Sequence, residues 1–376
     1  MPSIGWKNAV YKSAMICLRP VHNRGRRVEG NPASEHLSLI NRRHIQAGTF
    51  LWRTQDPEIH SLRTGCFNVP AENVWYHVAS IAKMVTAVGA LKMVDLGLLK
   101  LDEPILDYSN LPLPPQVTLR HLLTHTSGII DGVGYDKAVA QRLALEQWFN
   151  ADEYSSGHRP GSHFQYSNLG FGLVGSLMEE ASGECLQQWM QQHLFAPLGM
   201  AATYDLALLP KADELTSCKR LFPPRRGYQL DASRRIASAR PLGCADPSAH
   251  YGLAAGGLFT TADGLGKLLS LLASSGKGIL TSRSYQQMVT PATIQNFGKY
   301  SCGFGMGVFC VQNPRGQLFY GHQGFAYGAV QGAFWDPQNG NWIVSLNGGA
   351  DESRMGRLGR TNLDVLNLFL GGCRWI

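Results

Sequence analysis

Residues 80–97 read SIAKMVTAVGALKMVDLG, a largely apolar run with a serine and a lysine in its first turn. Apolar residues cover most faces of the corresponding helix, and Gly97 is placed to end it. We therefore predict a helix over residues 80–96 that is buried on most sides. Because Ser80 and Lys83 are three positions apart, their side chains project from one face of this helix within reach of each other.

This pair has the geometry of a nucleophile and its base. Burial of an ammonium lowers its pKa, so a buried Lys83 gives access to the neutral amine that takes a proton from Ser80. The helix N-terminus adds a positive field, and the backbone N–H of Ser80 is available to stabilise an oxyanion. The Ser-x-x-Lys spacing alone is weak evidence for catalysis, because an N-cap serine followed by a lysine that reaches solvent gives the same pattern.

A second motif follows at residues 160–168, PGSHFQYSN. We predict that this turn directs Tyr166 and Asn168 at a cleft. Tyr166 would act as a proton shuttle if a neighbouring ammonium lowers its pKa, and Asn168 would bind a substrate amide. The alternative is that Tyr166 packs on the core and that Ser167 or Asn168 caps the next helix.

A third motif, GHQGF at residues 321–325, lies between two predicted strands. Glycine allows a backbone to approach a ligand closely, and an edge strand offers N–H groups to an extended substrate. The candidate substrate-binding residues here are His322, Gly324 and Phe325. A histidine in this position is also compatible with a purely structural role, and we interpret His121 and His125 as packing or capping groups.

The three motifs, in this order, resemble those of the serine β-lactamase and penicillin-binding-protein superfamily, especially its class C β-lactamase, D-aminopeptidase and esterase branch. The resemblance extends from about residue 75 to 370 and includes HLLTHTSG at residues 121–128 and PLGM at residues 197–200. Such a family uses the Ser-x-x-Lys motif with two partner motifs.

The resemblance implies a role for each matching residue. Ser80 would be the acylated nucleophile, Lys83 its base, and Tyr166 the relay of protons to the leaving group and later to water. Asn168 would hold the substrate amide, and the backbone N–H of Phe325 would join that of Ser80 in an oxyanion hole. No cofactor or metal is implied.

His322 departs from the Lys-Thr-Gly motif of β-lactamases. Lysine favours a substrate carboxylate, whereas histidine is only partly charged near neutral pH and is a weaker anchor. We therefore expect a serine hydrolase that acts through a Ser80 acyl-enzyme on a small ester, amide or peptide. The open alternatives are an acyltransferase, a β-lactamase or D-Ala-D-Ala carboxypeptidase, and a catalytically silent binding protein on this fold.

The remaining sequence predicts an α/β fold, an antiparallel sheet flanked by helices with an inserted, mostly helical subdomain, as in the β-lactamase/transpeptidase fold. Alternation over residues 48–66 predicts a hairpin, and short apolar runs separated by turn signals predict further strands. Those runs occupy residues 304–311, 317–320, 329–335 and 342–346, and helical patterns occupy 119–123, 138–149, 170–181, 186–194 and 363–370. The predicted domains are an extension of unknown role, 1–45, and a catalytic domain, 46–375, with its α/β part at 46–100 and 251–375 and the helical insertion at 101–250.

Composition narrows the class of protein further. The 376 residues are 44% hydrophobic and 16% charged, which is typical of a large folded core, and the net charge of +7 is mostly dispersed without a nucleic-acid motif. Eight cysteines lack C-x-x-C spacing, so we expect reduced thiols. Cations interrupt the N-terminal apolar stretches and no segment reaches membrane-span length, which favours a cytoplasmic protein without a membrane partner; the oligomeric state is not indicated.

Overall fold

A nine-stranded antiparallel sheet dominates the computed structural model, in the order β1-β3-β2-β12-β11-β10-β9-β8-β7, and β4-β6-β5 form a small second sheet. The structure describes residues 27–43, 45, 47–54, 58–65, 74–150, 152–209, 241–297, 300–326, 329–348 and 358–371. The strands are β1 (Arg27–Gly30), β2 (Ala47–Arg53), β3 (Ile59–Gly65), β4 (Tyr76–His77), β5 (Ala202–Thr203), β6 (Phe259–Thr260), β7 (Thr293–Phe297), β8 (Tyr300–Phe304), β9 (Phe309–Gln312), β10 (Leu318–Ala326), β11 (Ala329–Trp335) and β12 (Trp342–Gly348).

Helices cover both faces of the large sheet. Strands β11 and β12 are buried throughout, and their side chains alternate between two apolar clusters: Trp335 and Val344 join one, Phe334 and Ile343 the other. The helices are α1 (Ser34–Arg42), α2 (Ile81–Asp95), α3 (Leu119–Leu123), α4 (Tyr135–Gln141), α5 (Leu145–Trp148), α6 (Asn168–Ser182), α7 (Leu186–Met190), α8 (Ala196–Leu198), α9 (Leu253–Gly256), α10 (Ala262–Ala273), α11 (Ser282–Val289) and α12 (Arg360–Leu366). Within the described residues, no helix combines the length and apolar character needed to cross a membrane.

The predicted α/β fold with its antiparallel sheet is confirmed. Strands from before and after the helical section meet where β2 pairs with β12, and β2 and β3 form the predicted hairpin. The predicted turn at residues 56–57 lies outside the described residues. The predicted buried helix over residues 80–96 is also confirmed, because α2 is buried along almost its whole length.

Two boundaries were wrong for local reasons. The predicted helix over residues 138–149 is two helices, α4 and α5, because Arg142 adopts a left-handed conformation with φ of 52°. The predicted strand over residues 304–311 is the end of β8 and the start of β9. A tight turn separates them at Gly307, whose φ is 71°.

Residues 27–43 join the sheet, although we predicted an extension of unknown role over residues 1–45. Strand β1 pairs with β3, and Leu39 and Ile40 of α1 are buried against the sheet. Asp364 of α12 accepts hydrogen bonds from Arg42 and Arg43 at 3.0 and 2.6 Å. These residues therefore extend one edge of the sheet; residues 1–26 lie outside the described part of the chain.

Candidate active site

Ser80 lies at the N-terminus of α2, half-buried at the junction of the sheet and the helical section. The preceding residue, Ala79, has a positive φ of 48°, an unfavourable conformation for a residue with a side chain. Within the described residues the backbone N–H of Ser80 has no acceptor. Its hydroxyl and N–H are therefore both placed at the start of the helix, as the sequence predicted.

Lys83 is completely buried one turn further along α2. Its Nζ lies 3.1 Å from Ser80 Oγ, 2.8 Å from Asn168 Oδ1 and 2.5 Å from the backbone oxygen of Ala255 in α9. Burial lowers the pKa of Lys83 to about 7, and the Asp131 carboxylate opposes this change. A substantial fraction of Lys83 is therefore the neutral amine near neutral pH.

The neighbours of Lys83 determine where a neutral amine points its lone pair. Such an amine has two N–H groups, and the oxygens of Asn168 and Ala255 accept hydrogen bonds but carry no proton. Each takes one N–H of Lys83. The lone pair then faces Ser80, whose hydroxyl is the neighbour that has a proton to donate.

Asn168 is the first residue of α6, and its position depends on the helix cap. Ser167 is the N-cap residue and its hydroxyl accepts from the backbone N–H of Gly170 at 2.9 Å. Asp131 accepts from Asn168 Nδ2 at 2.7 Å. Asp131 was not predicted from the sequence. Capping by Ser167 was the alternative to a functional role for this motif, and residues 160–168 supply both: Ser167 caps α6, and Asn168 contacts Lys83.

Tyr166 lies beside Lys83, whose Nζ is 5.1 Å from the centre of the Tyr166 ring. The sequence-based role of Tyr166 as a proton shuttle was conditional on a neighbouring ammonium lowering its pKa, and this condition is not met. Burial raises the pKa instead, the Ser80 side chain acts to lower it, and the charge of Asp131 adds to the effect of burial. Tyr166 is therefore a neutral hydroxyl near neutral pH, suited to relaying a proton rather than to acting as an anion.

Strand β10 passes close to the segment that precedes Ser80. A Cβ at Gly324 would lie 2.3 Å from the backbone oxygen of Val78, so only glycine permits this approach. Residues 318–321 pair with β9 and residues 320–326 pair with β11, so residues 322–326 pair with β11 alone. The second half of β10 therefore has an edge for an extended substrate, next to the half-buried Phe325.

His322 is 1% exposed, so it has almost no surface for direct contact with a substrate. Its Nδ1 lies 2.6 Å from the backbone oxygen of Gln323, which makes Nδ1 the protonated nitrogen. Burial lowers the pKa of His322 to about 3, with a further contribution from Lys83. The expectation of a partly charged histidine was therefore wrong, because the ring packs among aromatic side chains such as Phe309 at 5.1 Å.

Residues 65–361, most of the chain, match the Beta-lactamase family. The chain belongs to the beta-lactamase family. The octameric penicillin-binding protein homologue from Pyrococcus abyssi has a TM-score of 0.67 at 21% identity, covering 83% of this chain and 72% of its own. The beta-lactamase fold expected from the motifs is thereby confirmed.

Two curated relatives of this beta-lactamase family chain are named as different kinds of enzyme. The D-alanyl-D-alanine-carboxypeptidase/endopeptidase AmpH of Escherichia coli (strain K12) is 29% identical over 40% of each chain. Esterase EstB of Burkholderia gladioli is 32% identical over 34% of this chain and 38% of its own. The chain thus spans less than half the length of these relatives.

Two histidines of the beta-lactamase family motif at residues 121–128 are structural, as predicted. His121 Nδ1 accepts from the backbone N–H of Thr118 at 3.2 Å, which caps α3. His125 is buried, accepts from the backbone N–H of Ser167 at 3.1 Å, and packs 4.3 Å from the ring of Tyr166. His125 therefore holds the end of the second motif, at Tyr166 and Ser167, in place.

We expect the Gly324→Ala substitution to reduce kcat/KM for an ester about 10- to 100-fold, because the new methyl group must displace β10 or Val78 and reacting groups tolerate little misplacement. Gly256→Ala is the matched control. A Cβ there would face the same segment, at Ala79, but no closer than 3.7 Å. Steady-state ester kinetics of both variants provide the measurement, and equal activities would contradict a close approach of β10 to the nucleophile.

Proposed function

We propose that this protein is a serine hydrolase that forms an acyl-enzyme at Ser80 on a small ester or amide substrate. The observation that supports this most strongly is the environment of Lys83. It is fully buried, its pKa is lowered to about 7, and two oxygens without protons leave its lone pair for Ser80. A lysine kept only for stability would gain nothing from this arrangement, since burying an ammonium is costly.

The proposed reaction has two steps. Ser80 Oγ attacks the substrate carbonyl as its proton passes to Lys83 Nζ, and the backbone N–H groups of Ser80 and Phe325 stabilise the oxyanion. Tyr166, which lies beside Lys83, relays a proton to the departing alcohol or amine. Water then attacks the acyl group on Ser80 by the reverse proton route, releasing the acid and restoring the enzyme.

The neutral state of His322 favours substrates that need no carboxylate anchor. β-lactams and D-Ala-D-Ala peptides carry a carboxylate, and a lysine in the third motif favours it. In this protein the equivalent position holds an uncharged, buried ring. We therefore propose small esters and amides as substrates ahead of penicillins, as in the esterase rather than the carboxypeptidase among the relatives.

A parallel substrate panel tests this proposal. We expect measurable kcat/KM on p-nitrophenyl acetate and on a D-amino acid p-nitroanilide, with at least tenfold lower acylation by benzylpenicillin. Faster acylation by benzylpenicillin than by the ester would contradict the assignment of substrate class. Absence of turnover and of covalent adducts with all three, from protein with a cooperative unfolding transition, would instead favour a binding protein.

The pH dependence of kcat/KM follows from the pKa of Lys83. Below pH 7 Lys83 is an ammonium and cannot accept the Ser80 proton, so we expect kcat/KM to rise as pH increases through about 7 and then level off. His322, with a pKa of about 3, should add no second limb between pH 5 and 9. Ester hydrolysis at constant ionic strength measures this profile, and a flat profile would contradict a lysine base.

A further inference from the structure

Asp131 makes a set of contacts with the start of α6 that goes beyond ordinary capping. Its Oδ1 accepts from the hydroxyl of Ser167 at 3.0 Å and from the backbone N–H groups of Asn168 and Leu169 at 2.5 and 3.0 Å. Its Oδ2 accepts from Asn168 Nδ2 at 2.7 Å. Three of these contacts secure the helix N-terminus, and the fourth fixes a side chain that contacts Lys83.

The fourth contact determines which way the Asn168 amide faces. A carboxylate only accepts hydrogen bonds, so the atom of Asn168 that faces Asp131 must be the nitrogen. The amide oxygen is then turned to Lys83 Nζ, 2.8 Å away. In the reversed orientation the amide oxygen would meet the carboxylate oxygen, and the amide nitrogen would face the lysine.

We propose that Asp131 is a positioning residue for this reaction: by holding the amide oxygen of Asn168 toward Lys83, it leaves the lysine lone pair to Ser80. This inference rests on the proposed function. If the Asn168 amide were reversed, its N–H would donate to the lone pair of Lys83 and compete with the Ser80 hydroxyl. Asp131 therefore acts on the nucleophile through two intervening side chains.

The charge of Asp131 supplies a second, separable effect on Lys83. The other titratable groups whose interactions with Lys83 are resolved are Tyr166, whose ring lies beside Nζ, and His125 and His322. Among these groups Asp131 is the one that opposes the lowering of the Lys83 pKa. Removing its charge should therefore lower the pKa of Lys83 further and move the acidic limb of the pH profile to lower pH.

The experiment is labelling of Ser80 by a fluorophosphonate, followed by intact-protein mass spectrometry from pH 5 to 9. For Asp131→Asn we expect the plateau rate to fall roughly 10- to 100-fold because the Lys83 lone pair is diverted. We also expect the acidic limb to move down by about half a pH unit or more. If the substitution only lowered stability, the amount of labelled protein would fall in proportion to the unfolded fraction. The acidic limb of the pH profile would then stay at the wild-type pH.

Asp95→Asn is the matched control. Asp95 accepts hydrogen bonds from Thr281 and Ser284 at the start of α11, so the substitution makes the same change at another helix N-terminus. It lies twelve residues beyond Lys83 on α2, which places it about 18 Å away. We expect its labelling rate to stay within about twofold of wild type and its limb to be unchanged.

A second variant separates the proposed route from a general loss of packing. In an Asn168→Ala background Asp131 has no amide to orient, so adding Asp131→Asn should reduce the plateau rate less than twofold. If the two substitutions reduced the plateau rate by independent factors that multiply in the double variant, the inference would be overturned. A wild-type plateau rate and an unmoved acidic limb in the single Asp131→Asn variant would also overturn it. No labelling of wild-type protein would contradict the proposed function itself.

Discussion

Replacing Ser80 with alanine is expected to reduce kcat/KM for ester hydrolysis at least about 1,000-fold, which is about 4 kcal/mol of transition-state stabilisation. The substitution removes the atom that forms the covalent bond. It should leave the fold intact, because the Ser80 side chain makes no capping hydrogen bond to α2. Ester kinetics and thermal unfolding on the same preparation measure both effects.

Thr281→Ala is the control, because it is expected to reduce stability without reducing activity. Thr281 is the N-cap of α11 and accepts from the backbone N–H of Ser284 at 3.2 Å. Its loss should cost about 1 kcal/mol of stability and leave ester turnover within about twofold. Ser80→Ala with near wild-type turnover would contradict the assignment of the nucleophile.

Replacing Lys83 with methionine is expected to reduce kcat/KM by a similar factor, since the base is removed while the volume of the side chain is nearly retained. The second expected effect is on stability. In the folded protein the pKa of Lys83 is about 7, against an ordinary value of 10.5. Burying the Lys83 ammonium therefore lowers the free energy of unfolding by about 4 to 5 kcal/mol below pH 7. This penalty disappears as the pH rises from 7 to 10.5.

The pH dependence of the free energy of unfolding has a definite direction that can be measured. Between pH 7 and 10.5 the unfolded chain binds more protons at Lys83 than the folded one, so wild-type stability gains up to about 1.4 kcal/mol per pH unit that Lys83→Met lacks. Denaturant unfolding from pH 6 to 9.5 gives the comparison. Lys92→Met, on the same helix but partly exposed, should behave like wild type. Parallel stability curves for wild type and Lys83→Met would contradict a strongly perturbed lysine.

The parts of this site that were predictable from sequence are those fixed by local spacing. Ser80 and Lys83 share a face of one helix because they are three positions apart, and the apolar run predicts that the helix is buried. The hairpin of β2 and β3 was predictable from alternation. None of these features depends on a distant part of the chain.

The features that could not be predicted depend on contacts between distant segments. Asp131 meets Asn168 across 37 positions, and a single polar residue in a loop gives no periodic signal of such a contact. The pKa values of Tyr166 and His322 follow from burial, which their motifs do not encode. The left-handed Arg142 that divides α4 from α5 likewise has no glycine to signal it.

The most direct test is to identify the residue that carries the acyl group. Wild-type protein is mixed with a p-nitrophenyl ester and quenched in acid within the first turnover, and its proteolytic peptides are mapped by mass spectrometry. We predict an acyl mass increment on Ser80, absent from Ser80→Ala. An acyl group on another residue, or ester turnover that persists in Ser80→Ala without any acyl-enzyme, would contradict the account.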